Sequence, residues 1–219
     1  MSPVIKVCCI ASLAEAQLAV AAGADALGLV SAMPSGPGVI DDAAIAAIAA
    51  AVPRPTRTFL LTARTGADAI AEQHARAGTT TLQLVDQVPH DELRRLRRLC
   101  PGVELVQVVH VTGEASVDEA VAAAPLVDAL LLDSGHPGAA VKELGGTGRT
   151  HDWALSRRIR DAIHPRPLFL AGGLHAGNVA QALAAVRPQG LDLCSRVRTA
   201  AQLDAHKLRE FVAAARRMP

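Results

Sequence analysis

The chain has no tyrosine, one tryptophan (Trp153) and three phenylalanines, so aromatics make up 2% of its 219 residues. Single-stranded nucleic-acid binders stack bases on aromatic side chains, which disfavours that class of function. Net charge is missing as well. The 22 Lys and Arg against 21 Asp and Glu leave +1, no field to steer a polyanion. The basic C-terminal run (Lys207, Arg209, Arg216, Arg217) reads as the solvated face of a last helix. The four cysteines, Cys8, Cys9, Cys100 and Cys194, contain no CxxC pair, and the eight histidines show no HxxxH or HExxH spacing. That is neither a disulfide framework nor a zinc pattern. The longest apolar stretches, such as 43–52, are too short to cross a bilayer. The opening residues MSPVIKVCCIAS read as a strand and not as a signal peptide. The expectation is a cytoplasmic protein that binds neither membrane nor nucleic acid and holds no metal.

Half the residues are hydrophobic, so the core must be built from Ala, Val, Leu and Ile. Short apolar runs alternate with longer Ala-rich segments of helical period. Strands are predicted near 4–9, 25–30, 57–62, 80–85, 103–109, 127–133, 167–171 and 190–194, with helices near 12–22, 41–51, 66–77, 89–99, 115–123, 152–162, 176–186 and 201–216. Ser12 to Glu15 and Ser116 to Glu119 have the form of capping boxes. Gly23 and Gly78 stand where helices end, and Asp41 and Asp42 suit a helix N-terminus. Eight β/α alternations imply parallel strands covered on both faces. In this length they predict an α/β protein with a single (β/α)8 TIM barrel as one domain over residues 1–219. An open doubly wound sheet is the alternative, weakened by the lack of a GxGxxG after the first strand.

Barrels of this kind carry chemistry at the C-terminal ends of their strands. Strand one ends in Cys8-Cys9, strand four in Val85-Asp86, strand five in His110, strand six in Asp133-Ser134, strand seven in Ala171-Gly172-Gly173 and strand eight in Cys194-Ser195-Arg196. A thiol and a carboxylate, Cys8 and Asp133, can thus face each other across the mouth. A Cys in a Val-rich strand is also what a small buried hydrophobe looks like. Cys9, next along the strand, should point away, under the helices. Gly172, Gly173, Cys194, Ser195 and Arg196 stand where barrels bind phosphate through backbone N–H groups. The glycine-rich loop 145–150 reads as a lid closing over ligand, and its Gly146 joins the candidate phosphate and substrate contacts. His110 and His136 read as solvated loop residues, with His110 also able to line the pocket. Asp86 stays open between a strand-end hydrogen bonder and a pocket group, and Cys100 reads as structural.

Taken in order, Lys6-Val7-Cys8-Cys9-Ile10, Gly23 to Gly28, Leu82-Gln83-Leu84, Leu132-Asp133-Ser134, Gly145 to Gly148, Asp152-Trp153 and Leu170 to Leu174 resemble the phosphoribosylanthranilate isomerase family. The resemblance covers nearly the whole chain. It implies a (β/α)8 barrel that carries out an Amadori rearrangement in tryptophan biosynthesis with no metal or organic cofactor, on a small phosphorylated substrate. It also implies Cys8 as general base and Asp133 as general acid. The thiol then needs a populated thiolate, and the carboxyl needs a proton near neutrality. The chain departs from the family in four places. Cys9 replaces a usual Gly, and Gly36-Pro37-Gly38-Val39 lacks a usual Arg that meets the anthranilate carboxylate. Val85-Asp86 replaces His-Gly, and Cys194 to Arg198 replaces Ser-Ser-Gly-Val-Glu. Losing the Arg removes a contact worth about 1.5–3 kcal/mol. Arg64, Arg149, Arg196 and Arg198 are candidates to replace it, and an Arg restored at Gly38 is expected to improve use of the anthranilate substrate. Two other readings stay open: an isomerase of another phosphorylated sugar or amine, and a non-catalytic binder of a phosphorylated metabolite. Ala-rich helix faces allow monomer or homodimer.

Overall fold

The computed structural model describes residues 2–217. Eight parallel strands close into a barrel in the order β1-β2-β3-β4-β5-β6-β7-β8. They are β1 (Val4–Val7), β2 (Ala26–Val30), β3 (Arg57–Thr62), β4 (Thr81–Leu84), β5 (Glu104–His110), β6 (Ala129–Asp133), β7 (Leu168–Leu170) and β8 (Gly190–Leu193). The helices between and after them are α1 (Leu13–Ala21), α2 (Asp42–Ala51), α3 (Ala67–Ala77), α4 (His90–Leu99), α5 (Ala115–Ala123), α6 (Trp153–Ile163), α7 (Val179–Val186) and α8 (Ala205–Arg216). The predicted (β/α)8 barrel is the fold observed. Among the described residues no helix is long and apolar enough to cross a membrane.

Strand periodicity divides the core in two. Outward-facing residues such as Ile5, Val7, Leu27, Leu60, Leu82, Leu130 and Leu132 pack under the helices. Inward-facing residues, Ala26, Phe59, Leu61, Val106, Val108, Leu131 and Phe169 among them, fill the barrel. With so few aromatics, two Phe rings and two ion pairs do the filling that larger side chains would do elsewhere. Phe59 and Phe169 meet edge to face at 6.0 Å. Below them Arg57 pairs with Glu104 and lies 5.5 Å from the centre of the Phe59 ring, a cation–π distance.

Several local expectations change. Ser12 caps α1 by accepting from the Glu15 N–H, but the Glu15 carboxylate reaches back to Ala11 N and not to Ser12. Its other oxygen accepts from Leu203 N and Arg198, which ties α1 to the chain after β8. Ser116 is no N-cap. It lies inside α5, where its hydroxyl donates to His110 O and accepts from Thr112 N, bracing the turn that leaves β5. The last helix starts at Ala205 because residues 198–203 form a small antiparallel hairpin, β9 (Arg198–Thr199) and β10 (Gln202–Leu203). Gly23 and Gly78 do take the positive φ expected at helix ends.

Phe169 lies flat on Gly190 of the neighbouring strand, where a Cβ would stand 2.3 Å from the ring. Gly190→Ala overpacks this contact and is expected to cost about 1–3 kcal/mol. A urea unfolding curve should show a lower midpoint with unchanged slope.

Candidate active site

The C-terminal strand ends surround a cleft lined by all eight catalytic and phosphate candidates: Cys8, Asp133, Gly146, Gly172, Gly173, Cys194, Ser195 and Arg196. Alternation explains how they converge. Asp133 follows the inward-facing Ala129 and Leu131 by steps of two, and Cys194 follows Gly190 and Asp192 in the same way. Cys8 follows Lys6 inward on β1. In the closed strand order β1 and β6 are separated by β8 and β7, so the thiol and the carboxylate enter the mouth from different sides.

Lys6 is fully buried, and its Nζ donates to Asp192 Oδ2 at 2.8 Å. The two are register partners on the strands that close the barrel. A Cβ on Gly28 would lie 3.0 Å from both Lys6 Nζ and Cys8 Sγ. The absence of a side chain there is what lets amine and thiol approach each other. The Cys8 thiol is held below its ordinary range by a hydrogen bond from Cys9, against burial, with further help from the Lys6 cation. Burial works to strip the Lys6 proton, but the Asp192 carboxylate and the neighbouring thiols outweigh it, so the ammonium persists. Asp192 Oδ1 is buried without a partner and belongs to a residue that lines the cleft.

Cys9 does not point under the helices. β1 stops at Val7, and Cys9 takes φ 62°. This breaks the alternation and swings its side chain into the barrel mouth, 2.8 Å from Cys194 Sγ. That contact, with burial and Cys8, pushes the Cys9 thiol well above its usual range.

Asp133 accepts from the Ser134 N–H at 2.7 Å. A Cβ on Gly145 would lie 2.8 Å from its Oδ2, so the glycine-rich loop runs directly over the carboxylate. His151 lies nearby. Burial pushes its imidazole down against the pull of Asp133 and Asp152, and neither ring nitrogen has a partner. The loop is fastened to its neighbours. Ser134 Oγ meets Thr147 Oγ1 at 2.7 Å, Arg196 donates to Gly148 O, and Gly146 packs on Pro37.

The cleft has two unlike ends. At one, Gly172 and Gly173, both at positive φ, stand beside Ser195 and Arg196. Exposed backbone N–H groups and a guanidinium suit an anion there. At the other, Val30, Met33, Leu61, Val108 and Leu144 form an apolar wall interrupted by Gln83, whose Oε1 is buried and unpartnered. Of the four candidate arginines, only Arg196 lines the cleft. Arg198 is spent on Glu15 and on the Cys9 carbonyl. Arg149 pairs with Glu143, and Arg64 is exposed. His110 is not solvated: it is 6% exposed, and its Nε2 meets Val85 O at 3.1 Å. Asp86 pairs with Lys142 outside the cleft. His136 is exposed and Cys100 buried, both as expected.

With this geometry in hand, comparison with known proteins is decisive. A family model described as "N-(5'phosphoribosyl)anthranilate (PRA) isomerase" matches residues 5–214. The chain belongs to the PRA isomerase family. An N-(5'-phosphoribosyl)anthranilate isomerase of Haloferax volcanii is 36% identical over 214 residues, covering 97% of this chain and 92% of that protein. One from Nostoc punctiforme is 34% identical over 198 residues, 90% of each. The solved phosphoribosyl anthranilate isomerase of Thermotoga maritima superposes with a TM-score of 0.85 at 26% identity, with both chains covered completely.

Two groups of this family member's site, Asp192 in the cleft lining and Lys6 buried behind it, escaped the sequence reading as site residues. Their signal was present: one charge of each sign set between apolar residues in a buried strand, a placement that is costly unless the charges pair. The Gly38 departure also takes on a physical form. Gly38 has φ 75°, and a Cβ there would lie 2.5 Å from Cys9 Cβ. A side chain at 38 and a side chain at 9 compete for one volume, so adding an Arg at Gly38 is a steric insult and not a repair. Gly38→Ala is expected to lower the thermal midpoint by several degrees. Cys9→Gly in the same chain should recover part of that loss, measurable as a double-mutant cycle in calorimetry.

Proposed function

We propose that the protein isomerises N-(5'-phosphoribosyl)anthranilate to its amino-ketose in tryptophan biosynthesis. Cys8 acts as general base and Asp133 as general acid. One observation carries this reading: a thiol held below its ordinary range and a carboxylate enter one cleft from different strands, beside an end built for an anion. The phosphate sits against the backbone N–H groups of Gly172, Gly173, Cys194 and Ser195, with Arg196 as counter-charge and Gly146 in the covering loop. Asp133 gives a proton to the furanose ring oxygen, and the ring opens to a Schiff base. Cys8 removes the C2′ proton, and the resulting enol relaxes to the ketone. Asp192 Oδ1, buried and unpartnered, accepts from a sugar hydroxyl. The apolar wall receives the aromatic ring, and loop 145–150 closes over the ligand as a lid that excludes water. The four cysteines are free, as a reducing cytoplasm keeps them.

A second reading has one observation in its favour. Arg196, the one arginine of the four candidates in the cleft, stands at the phosphate end, and the ring end offers no guanidinium to a carboxylate. A phosphorylated amine without that carboxylate would fit the same acid–base pair.

Turnover of phosphoribosylanthranilate generated in situ, followed by loss of its fluorescence, decides between them. The wild-type protein should turn it over. Cys8→Ser and Asp133→Asn should each lower kcat by roughly 10²–10⁴-fold with unchanged circular dichroism. Full activity in both variants would overturn the mechanism. A folded wild-type protein inert toward this substrate, yet protected from thermal unfolding by a sugar phosphate, would favour the second reading.

A further inference from the structure

A fully buried lysine in a barrel interior needs a reason. Its ion pair with Asp192 is not one by itself. Apolar side chains of similar volume are often as stabilising as a buried pair or more so. The amine also has a second neighbour besides Asp192. Lys6 Nζ and Cys8 Sγ are each 3.0 Å from the place a Gly28 Cβ would occupy, so they are no further apart than twice that distance. The charge therefore sits behind the thiol, on the side away from the open cleft, where no ligand can displace it.

We propose that Lys6 is the built-in counter-ion of the Cys8 thiolate, a positioning residue that touches no substrate, with Asp192 fixing its ammonium on the barrel seam. This deepens the assignment of Cys8 as base and rests on it. The other charged and titratable groups around Cys8 do not supply the cation. Cys9 and Cys194 are free thiols in contact at 2.8 Å and carry no positive charge, and Asp133 and Asp192 are acids. Arg198 approaches only the backbone carbonyls of Cys8 and Cys9 and is neutralised by Glu15. Asp192 plays two opposed parts: it anchors the lysine, and its own charge works against the thiolate.

The charge at Lys6 gives a test that a packing role cannot imitate. The rate of Cys8 alkylation by iodoacetamide is followed against pH in the whole protein, with Cys8 and Cys9 resolved by fragment mass spectrometry. The wild-type thiol should titrate below the ordinary cysteine value of about 8.5. Lys6→Met should move the profile up by about one unit or more, which is about a tenfold slower reaction at neutral pH. Lys6→Arg should keep most of the wild-type profile. Wild-type titration at or above the ordinary value would overturn the proposal, and that measurement holds even if Lys6→Met fails to fold. Equal upward shifts in Lys6→Met and Lys6→Arg would overturn it too, since the retained positive charge would then count for nothing. Because alkylation reads ionisation and not turnover, a Cys8→Ser variant with full activity would remove the base assignment without touching this result.

Discussion

The ion pair between Lys6 and Asp192 sits on the seam where β1 meets β8 and the barrel closes. Much of the site depends on that placement. Each partner sits in the middle of its short strand, two residues before a thiol: Cys8 follows Lys6, and Cys194 follows Asp192. Closing the seam therefore brings two strand ends, three cysteines and the start of the segment after β8 into one cluster. Both charges are nearly inaccessible to water, and leaving either alone would cost about 3–5 kcal/mol. The pair is thus self-enforcing: a register in which Lys6 missed Asp192 would bury two unpaired charges.

The mouth is a set of shared volumes. Cys9 and Gly38 cannot both carry a full side chain, Gly146 gives way to Pro37, and Gly148 gives way to Ser195. Ser35 in the loop after β2 bonds to the Lys142 carbonyl at the edge of the glycine-rich loop. The loops after β1, β2, β6 and β8 therefore hold one another, and a change in one is felt in the next. Seen this way, the chain's departures from its family at 9 and 38 are one coupled feature. The space an Arg at 38 would cross is the space Cys9 fills.

How much of this the sequence foretold follows from how local each feature is. Alternating apolar runs and Ala-rich helical segments depend on periodicity alone, and all eight strands and eight helices fall close to their expected places. Period-two alternation then carries Asp133 and Cys194 inward without further information. The misses are tertiary. Only the family's usual Gly at this place points to the positive φ at Cys9 that breaks the alternation; the cysteine itself carries no such signal. Ser116 has a capping pattern, but the turn out of β5 claims its hydroxyl for His110. Arg198 looked free for a ligand until α1 packed Glu15 against it. His110 looked solvated until β5 ran long enough to bury it. Lys6 and Asp192 are 186 residues apart, and only barrel closure makes them partners.

The central claim is that the phosphate end and the acid–base pair address one ligand in one orientation. A crystal structure of the protein with a reduced, ring-opened analogue of the amino-ketose product tests it most directly. The account predicts the phosphate on the N–H groups of Gly173 and Ser195, with the carbon at the C2′ position about 3–3.5 Å from Cys8 Sγ, a reactive approach distance, and Asp133 on the facing side of the chain. A phosphate bound elsewhere, or a Cys8 thiol out of reach of that carbon while the phosphate sits as predicted, would contradict it.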